Sequence, residues 1–153
     1  MNIRKADLND LAQIVVLSDK MMDFHCSLDS YYGIYREYDD SSEYYKNELV
    51  KNDRLYLVAE NKEGELVGFA STYFTSMPDT PAPAIGTLVT NFVLEEFRGQ
   101  GIGTAFHEKR IEWLKTNNVK HIEMSVDVNN KNALDMWKKK GFKDYQYTLR
   151  KDL

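Results

Sequence analysis

Cysteine, proline, positive charge in excess and long apolar runs are all scarce in this chain. Its single cysteine, Cys26, cannot close an internal disulfide, and His25, His107 and His121 lack metal-ligand spacing. Disulfide scaffolds and structural zinc are thereby excluded, and no metal is expected. No apolar run approaches the roughly 20 residues needed to cross a bilayer, and Met1 begins no charged-then-apolar leader. These absences argue against membrane spanning and secretion and for a cytoplasmic protein. Lys and Arg number 20 against 24 Asp and Glu, a formal net charge of -4, which leaves no broad basic footprint for nucleic acid. A positively charged acceptor remains compatible with that balance. All three prolines, Pro78, Pro81 and Pro83, fall between Ser76 and Ala84, so that stretch reads as an exposed connection.

What is present is a chain of 153 residues, 42% hydrophobic and 29% charged, a size at which one core buries roughly 70% of the unfolded surface. A single domain over 1–153 is expected. Hydrophobic periodicity predicts a short strand at Ile3 and Arg4, then a helix capped by Asp7 and running through Leu11 and Ile14 to Ser18. Six of the ten tyrosines lie between Tyr31 and Tyr45, mixed with Glu37, Asp39 and Asp40, before Ser41 or Ser42 caps a helix to about Val50. Arg54 to Glu60 and Leu66 to Phe74 read as a strand pair around Asn61 to Glu65, and another strand runs from Ile85 to about Leu94.

A helix is predicted from Thr104 to Lys115, with Ile102, Ala105, Phe106 and Trp113 on one stripe and Lys109 carrying its charge outward. Alternation from His121 to Val128 predicts a strand with one apolar face. Asn130 then caps a helix that turns Ala133, Leu134, Met136 and Trp137 inward, ends in Lys138 to Lys140 and stops at Gly141. Phe142 to Leu149 reads as a closing strand. This order describes a mixed, layered α/β domain.

Between strand and helix, Arg98-Gly99-Gln100-Gly101-Ile102-Gly103 sets glycines on alternate positions, so main-chain N-H groups can point outward unobstructed. With the positive end of the following helix, such a turn binds an anion, and Arg98 is available to add charge. A P-loop would close on Gly-Lys-Ser/Thr, but Gly103 is followed by Thr104 and Ala105, which argues against a phosphoryl-transfer enzyme. A dinucleotide fingerprint would need its third glycine where Thr104 stands.

The turn resembles the pyrophosphate signature of the GNAT family of N-acetyltransferases, Arg/Gln-x-x-Gly-x-Gly/Ala, met by Arg98, Gly101 and Gly103. The preceding Val93 to Phe97 is similar to that family's valine-ending strand, with Glu95 where proline is common. Asn130-Lys131-Asn132-Ala133, then Trp137 and Gly141-Phe142, is similar to its Asn-x-x-Ala...Tyr...Gly-Phe helix. The resemblance implies a mostly antiparallel central sheet with helices on both faces and strands 4 and 5 splayed. It implies acetyl coenzyme A as cofactor and an amine acceptor as substrate, and a homodimer is compatible with it. The pantetheine arm would pair with the main chain of Phe92, Val93 and Leu94. Arg98, Gly99, Gln100, Gly101, Ile102, Gly103 and Thr104 would hold the pyrophosphate, with Asn130 and Trp137 beside the arm.

Direct transfer to an alkylamine of pKa about 10.4 requires its deprotonation, roughly 4 to 5 kcal/mol near pH 7, whereas a thiol near 8.5 leaves as thiolate at about 2 kcal/mol. A base therefore matters more than an acid. Glu123 and Asp127 project from the polar face of a strand beside the expected cleft, and Glu37, Asp39 or Asp40 could approach it from the first half; none has a motif behind it, and Asp127 is the candidate carried forward. Where the family commonly has a proton-donating tyrosine stands Trp137, whose indole N-H cannot donate a proton. Either Tyr145 or Tyr147 substitutes as the acid, or the thiolate leaves with help from solvent or backbone, and both alternatives stay open. Trp137 reads first as core packing, the tyrosine-rich stretch as aromatic packing under an acidic face, and His25-Cys26 as no nucleophile pair, since helix neighbours do not face each other. A non-catalytic acyl coenzyme A binding module is the competing reading.

Overall fold

The computed structural model describes residues 1–38, 41–80 and 84–151, without the side chains of 35–38. Glu37, Asp39 and Asp40 as candidate bases, and Pro81 and Pro83, therefore lie outside what is described. Five strands form one sheet in the order β1 (Asn2–Lys5), β2 (Arg54–Glu60), β3 (Leu66–Ser76), β4 (Ala84–Val93) and β5 (His121–Glu123). Neighbours from β1 to β4 are antiparallel, and β5 joins β4 in parallel. Helices α1 (Leu11–Leu28), α2 (Ser41–Leu49), α3 (Ile102–Thr116) and α4 (Lys131–Lys139), with short 3-10 turns at Leu8–Asp10, Ser30–Tyr38 and Glu95–Phe97, complete the described elements.

Alternation along the strands divides the core in two. Tyr56, Val58, Phe69 and Phe92 meet Ile14 and Leu17 of α1 and Tyr45 of α2 on one face. On the other, Leu55, Leu57, Ala70 and Val93 meet Ile102 and Phe106 of α3. A third cluster joins Leu88 to Leu114 of α3 and Trp137 of α4. Each fully buried large apolar side chain contributes about 1.5–3 kcal/mol. The mixed sheet with helices on both faces is thus as the resemblance implied. No described helix is long and apolar enough to cross a membrane.

The start of the first helical segment is set locally. Asp7 accepts from the Asn9 N-H at 2.7 Å while Asp10 accepts from the Asp7 N-H at 2.9 Å, a reciprocal cap. Arg4 then reaches both Asp10 oxygens from β1, at 2.7 and 2.8 Å, and holds that carboxyl below its ordinary range.

Three elements differ from the sequence expectation. Helix α1 continues ten residues past Ser18 to Leu28, because Met21 keeps the inward face in contact with the core although Asp19, Lys20 and Asp23 obscure the period. Strand β5 ends at Glu123 rather than Val128. Met124 and Val126 still pack inward against the α3 and α4 cluster, so their alternation reports a buried face without a paired ladder. No strand forms from Phe142 to Leu149: Tyr145, Tyr147 and Leu149 share one parity and are 86%, 78% and 92% exposed. Among the described residues β5 keeps a free outer edge, but apolar side chains that bury nothing give this segment no packing to hold it there.

Two histidines couple this packing to pH. His107 lies between Trp137 and Phe142, with its Nδ1 buried and without a partner. Burial, then the charges of Lys140 and Arg110, hold its pKa below the ordinary value, against a smaller opposite pull from Glu108. Burial likewise lowers His25, partly offset by Asp127. A histidine depressed in the folded state stabilises above its unfolded pKa of about 6.5, and that contribution is lost as pH falls through the folded value. The melting temperature should therefore drop as pH falls below about 6.5, with a shallower drop in His107→Phe. An unchanged slope in that variant would remove His107 from this account.

Candidate active site

Strands β4 and β5 stay together only over Ile85 with His121, Gly86 with Ile122 and Thr87 with Glu123. Beyond Thr87, β4 continues to Val93 with one edge unpaired. The Leu94 N-H donates to Val67 O at 2.9 Å, so strand alternation turns the main-chain groups of Phe92 and Leu94 toward β3 and those of Asn91 and Val93 toward the open edge. Arg98 confirms the direction, since its Nε donates to Val93 O at 2.9 Å. Its guanidinium also lies 5.5 Å from the Phe24 ring centroid, so Arg98 bridges α1 and β4 and does not lean over the glycine turn.

The glycine turn follows this edge directly. Gly99 and Gly101 adopt φ of 76° and 82°, and a Cβ on either would meet nothing within 4 Å. Both values lie where non-glycine residues are strained. Gly101 begins α3 without any side-chain cap, and the first helical bond runs from Ala105 N-H to Gly101 O. Among the described residues, the N-H groups of Gly99 through Thr104 donate no hydrogen bond. Unmet donors at the positive end of a 15-residue helix form an anion cradle. The cradle is open, polar and rimless on its glycine side, which fits a diphosphate.

Beneath the edge lies a residue that sequence reading missed. Between β3 and β4 the register passes from Ser71 with Thr90 to Thr72 with Leu88, leaving Val89 as the extra residue of a bulge. Arg110, 0% exposed, rises from α3 into this bulge. Its Nη1 donates to Thr90 O at 2.7 Å and Ser71 O at 3.3 Å, its Nη2 to Asn91 Oδ1 at 2.9 Å and its Nε to Phe106 O at 3.3 Å. Burial lowers its pKa to about 10, so it stays charged at neutral pH. Its place in the row Ile102, Phe106, Arg110, Leu114, four residues apart, was the available signal.

The remaining candidates differ in what holds them. Asp127 accepts from Tyr32 Oη at 3.0 Å and from the Asn129 N-H at 2.7 Å, and the His25 ring stands 4.9 Å from that of Tyr32. Asn130 caps α4 through Oδ1, which accepts from the Ala133 N-H at 3.1 Å. Trp137 is buried against Phe142 and His107, with the Arg110 guanidinium 6.0 Å from its ring centroid. Glu123 is exposed at the end of β5, and Tyr145 and Tyr147 are exposed in the segment after α4.

Comparison with known proteins agrees with this layout. The model of the Acetyltransferase (GNAT) family matches residues 21–142. An uncharacterised N-acetyltransferase of Methanocaldococcus jannaschii is 28% identical over 143 residues, 94% of this chain but 59% of that protein. The chain thus spans less than two thirds of this relative's length. A second uncharacterised N-acetyltransferase, from Archaeoglobus fulgidus, is 32% identical over 137 residues, covering 87% of this chain and 86% of the relative. An aminoglycoside N-acetyltransferase solved in complex with CoA superposes with a TM-score of 0.74 at 15% identity, covering 99% and 98% of the two chains, a likeness of fold. With the glycine turn, the parted strands and the capped fourth helix all inside the matched span, the chain belongs to the acetyltransferase (GNAT) family.

Proposed function

We propose that this protein moves an acetyl group from acetyl coenzyme A to a primary amine by direct attack, as a single cytoplasmic domain. The observation that carries this reading is the run of unmet N-H groups from Gly99 to Thr104, set beside the unpaired edge of β4. The turn would hold the diphosphate, and the main chain of Asn91 and Val93 would pair with the pantetheine arm. Arg98 must release Val93 O for that pairing, which frees its charge to meet the diphosphate. Asn130, with Oδ1 already used as a cap, has its Nδ2 left to donate to the arm.

Bound acetyl coenzyme A supplies the acyl group as a thioester. The acceptor enters as an ammonium and must give up one proton before attack, at roughly 4 to 5 kcal/mol near pH 7. Asp127, oriented by Tyr32 and the Asn129 N-H, is the carboxylate proposed to receive it, directly or through water. As the new C-N bond forms and the C-S bond breaks, a second proton leaves nitrogen for solvent and the sulfur departs as thiolate. No proton donor is required of Trp137, whose burial among rings supports a packing role.

Purified protein should bind acetyl coenzyme A by calorimetry and release free thiol in proportion to added primary amine. Binding without amine-dependent thiol release would instead identify a non-catalytic acyl coenzyme A binding module. Absence of binding would remove the reading altogether.

A further inference from the structure

A cavity of ≈ 50 Å³ opens between α2 and strands β2 to β4, on the α1 and α2 side of the sheet. Tyr44 and Glu48 line it from α2, Arg54 and Tyr56 from β2, and Val89, the extra residue of the bulge, from β4. Such a volume suits a head group of a few non-hydrogen atoms, since ~10–15 Å³ already admits a water.

Donors and acceptors in this lining do not balance. Glu48, 5% exposed, is engaged at both oxygens, Oε1 by Lys51 and Oε2 by Arg54. Arg54 is not satisfied in return. Its Nε stands 2.9 Å from Glu48 Oε2 at an angle that makes no hydrogen bond, so this buried N-H lacks an acceptor. No hydrogen bond from its guanidinium occurs among the described residues, and the group is held 4.8 Å over the Tyr73 ring. Burial, with Tyr44 and Glu48 nearby, pushes the Tyr56 hydroxyl pKa well up, so it stays protonated. Arg54 and Glu48 are the two charged residues of the lining, and Lys51 and Asp53, with side chains 45% and 51% exposed, pair with them from outside it. A buried donor without an acceptor is costly unless a ligand meets it. The Arg54 side chain as a whole is 24% exposed, so a ligand's oxygen can reach it.

We propose that this cavity is a specificity subsite for the acetyl acceptor, in which Arg54 receives a carboxylate at the far end of the substrate amine. The proposal rests on the transferase reading above. Adjacent strands are about 4.8 Å apart and Arg54 is level, through Tyr73, with Thr87, so it lies on the order of 10 Å across the sheet from an amine reacting where β4 and β5 part. The acceptor is therefore an amine whose carboxylate stands at that span, as in an extended ω-amino acid or a short peptide. Specificity then comes from a polar group that an uncharged analogue would leave unpaired.

ε-Aminocaproate and its methyl ester have the same reach and differ in the charge that Arg54 would meet. Calorimetry on the cofactor-free protein should show at least about tenfold tighter binding of the carboxylate than of the ester, and kcat/KM should follow the same order. Arg54→Met should abolish the preference. Because loss of Arg54 could loosen α2, Val89→Trp provides a second variant: Val89 is 54% exposed and lines the cavity, so an indole there adds bulk at its mouth. It should weaken the carboxylate at least about tenfold while the far-UV circular dichroism of the folded protein is retained. Equal binding of carboxylate and ester, or a preference that survives both variants, overturns the subsite. Either result leaves the transferase reading standing if thiol release persists, whereas loss of acetyl coenzyme A binding by the wild-type protein overturns that reading and the subsite together.

Discussion

Gly101→Glu is expected to abolish acetyl coenzyme A binding while the protein still folds. A Cβ at this position meets no atom within 4 Å, so the new side chain extends into the space in front of the turn instead of into the core. Its carboxylate would stand where a diphosphate is to be held. At an effective dielectric constant of about 20, unit charges about 4 Å apart repel by about 4 kcal/mol, which is nearly three orders of magnitude in affinity. Part of any effect would come from backbone strain, because φ is 82° and a non-glycine residue there costs about 1–3 kcal/mol. Gly101→Asn separates the two contributions, since asparagine tolerates the left-handed region and carries no charge. Calorimetry should show measurable, weakened binding for asparagine and none for glutamate. Equal affinities in the two variants would place the diphosphate elsewhere.

Truncation of Arg110 to alanine should produce the largest loss of stability in the chain, about 3–5 kcal/mol, from an unfilled cavity and from acceptors left without a donor. Those acceptors, Thr90 O, Ser71 O and Asn91 Oδ1, belong to the bulge that shapes the free edge of β4. For a chain of this length the melting temperature should fall by about 10 °C or more. Arg110→Met should cost less, because methionine refills much of the volume that alanine leaves empty. Thermal melts of both variants decide the matter. A change below about 1 kcal/mol in Arg110→Ala would mean that the bulge is held by its own backbone.

Short-range determinants were legible in the residues. The turn from Arg98 to Gly103 needs only its own glycines and the helix behind it, and Gly99 and Gly101 adopt the positive φ that such a turn demands. The Asn130 cap, the helix after it and the paired strands around Asn61 to Glu65 depend on neighbours within a few positions, and each formed where the pattern put it. The stripe of α3 was half read: Lys109 is exposed as expected, while Arg110, one position on, is the charge that is buried. Likewise Glu48, three residues after the inward Tyr45, sits on the buried face of α2, where an acidic residue reads as solvated unless the opposing strand is known to supply Arg54.

By itself, then, the order of residues determined the family turn, its helix and the alternation of the central strands, because these follow from local backbone preference and from which side of each element is apolar. Only the tertiary structure decided that β5 stops at Glu123, that Tyr145 to Leu149 stay outside the sheet, that Arg98 folds onto Val93, and that Arg110 and Arg54 face the two sides of one bulge. Each of those outcomes depends on what a distant segment offers as a partner, a face to pack against or an oxygen to accept a proton, and no window of sequence contains that information.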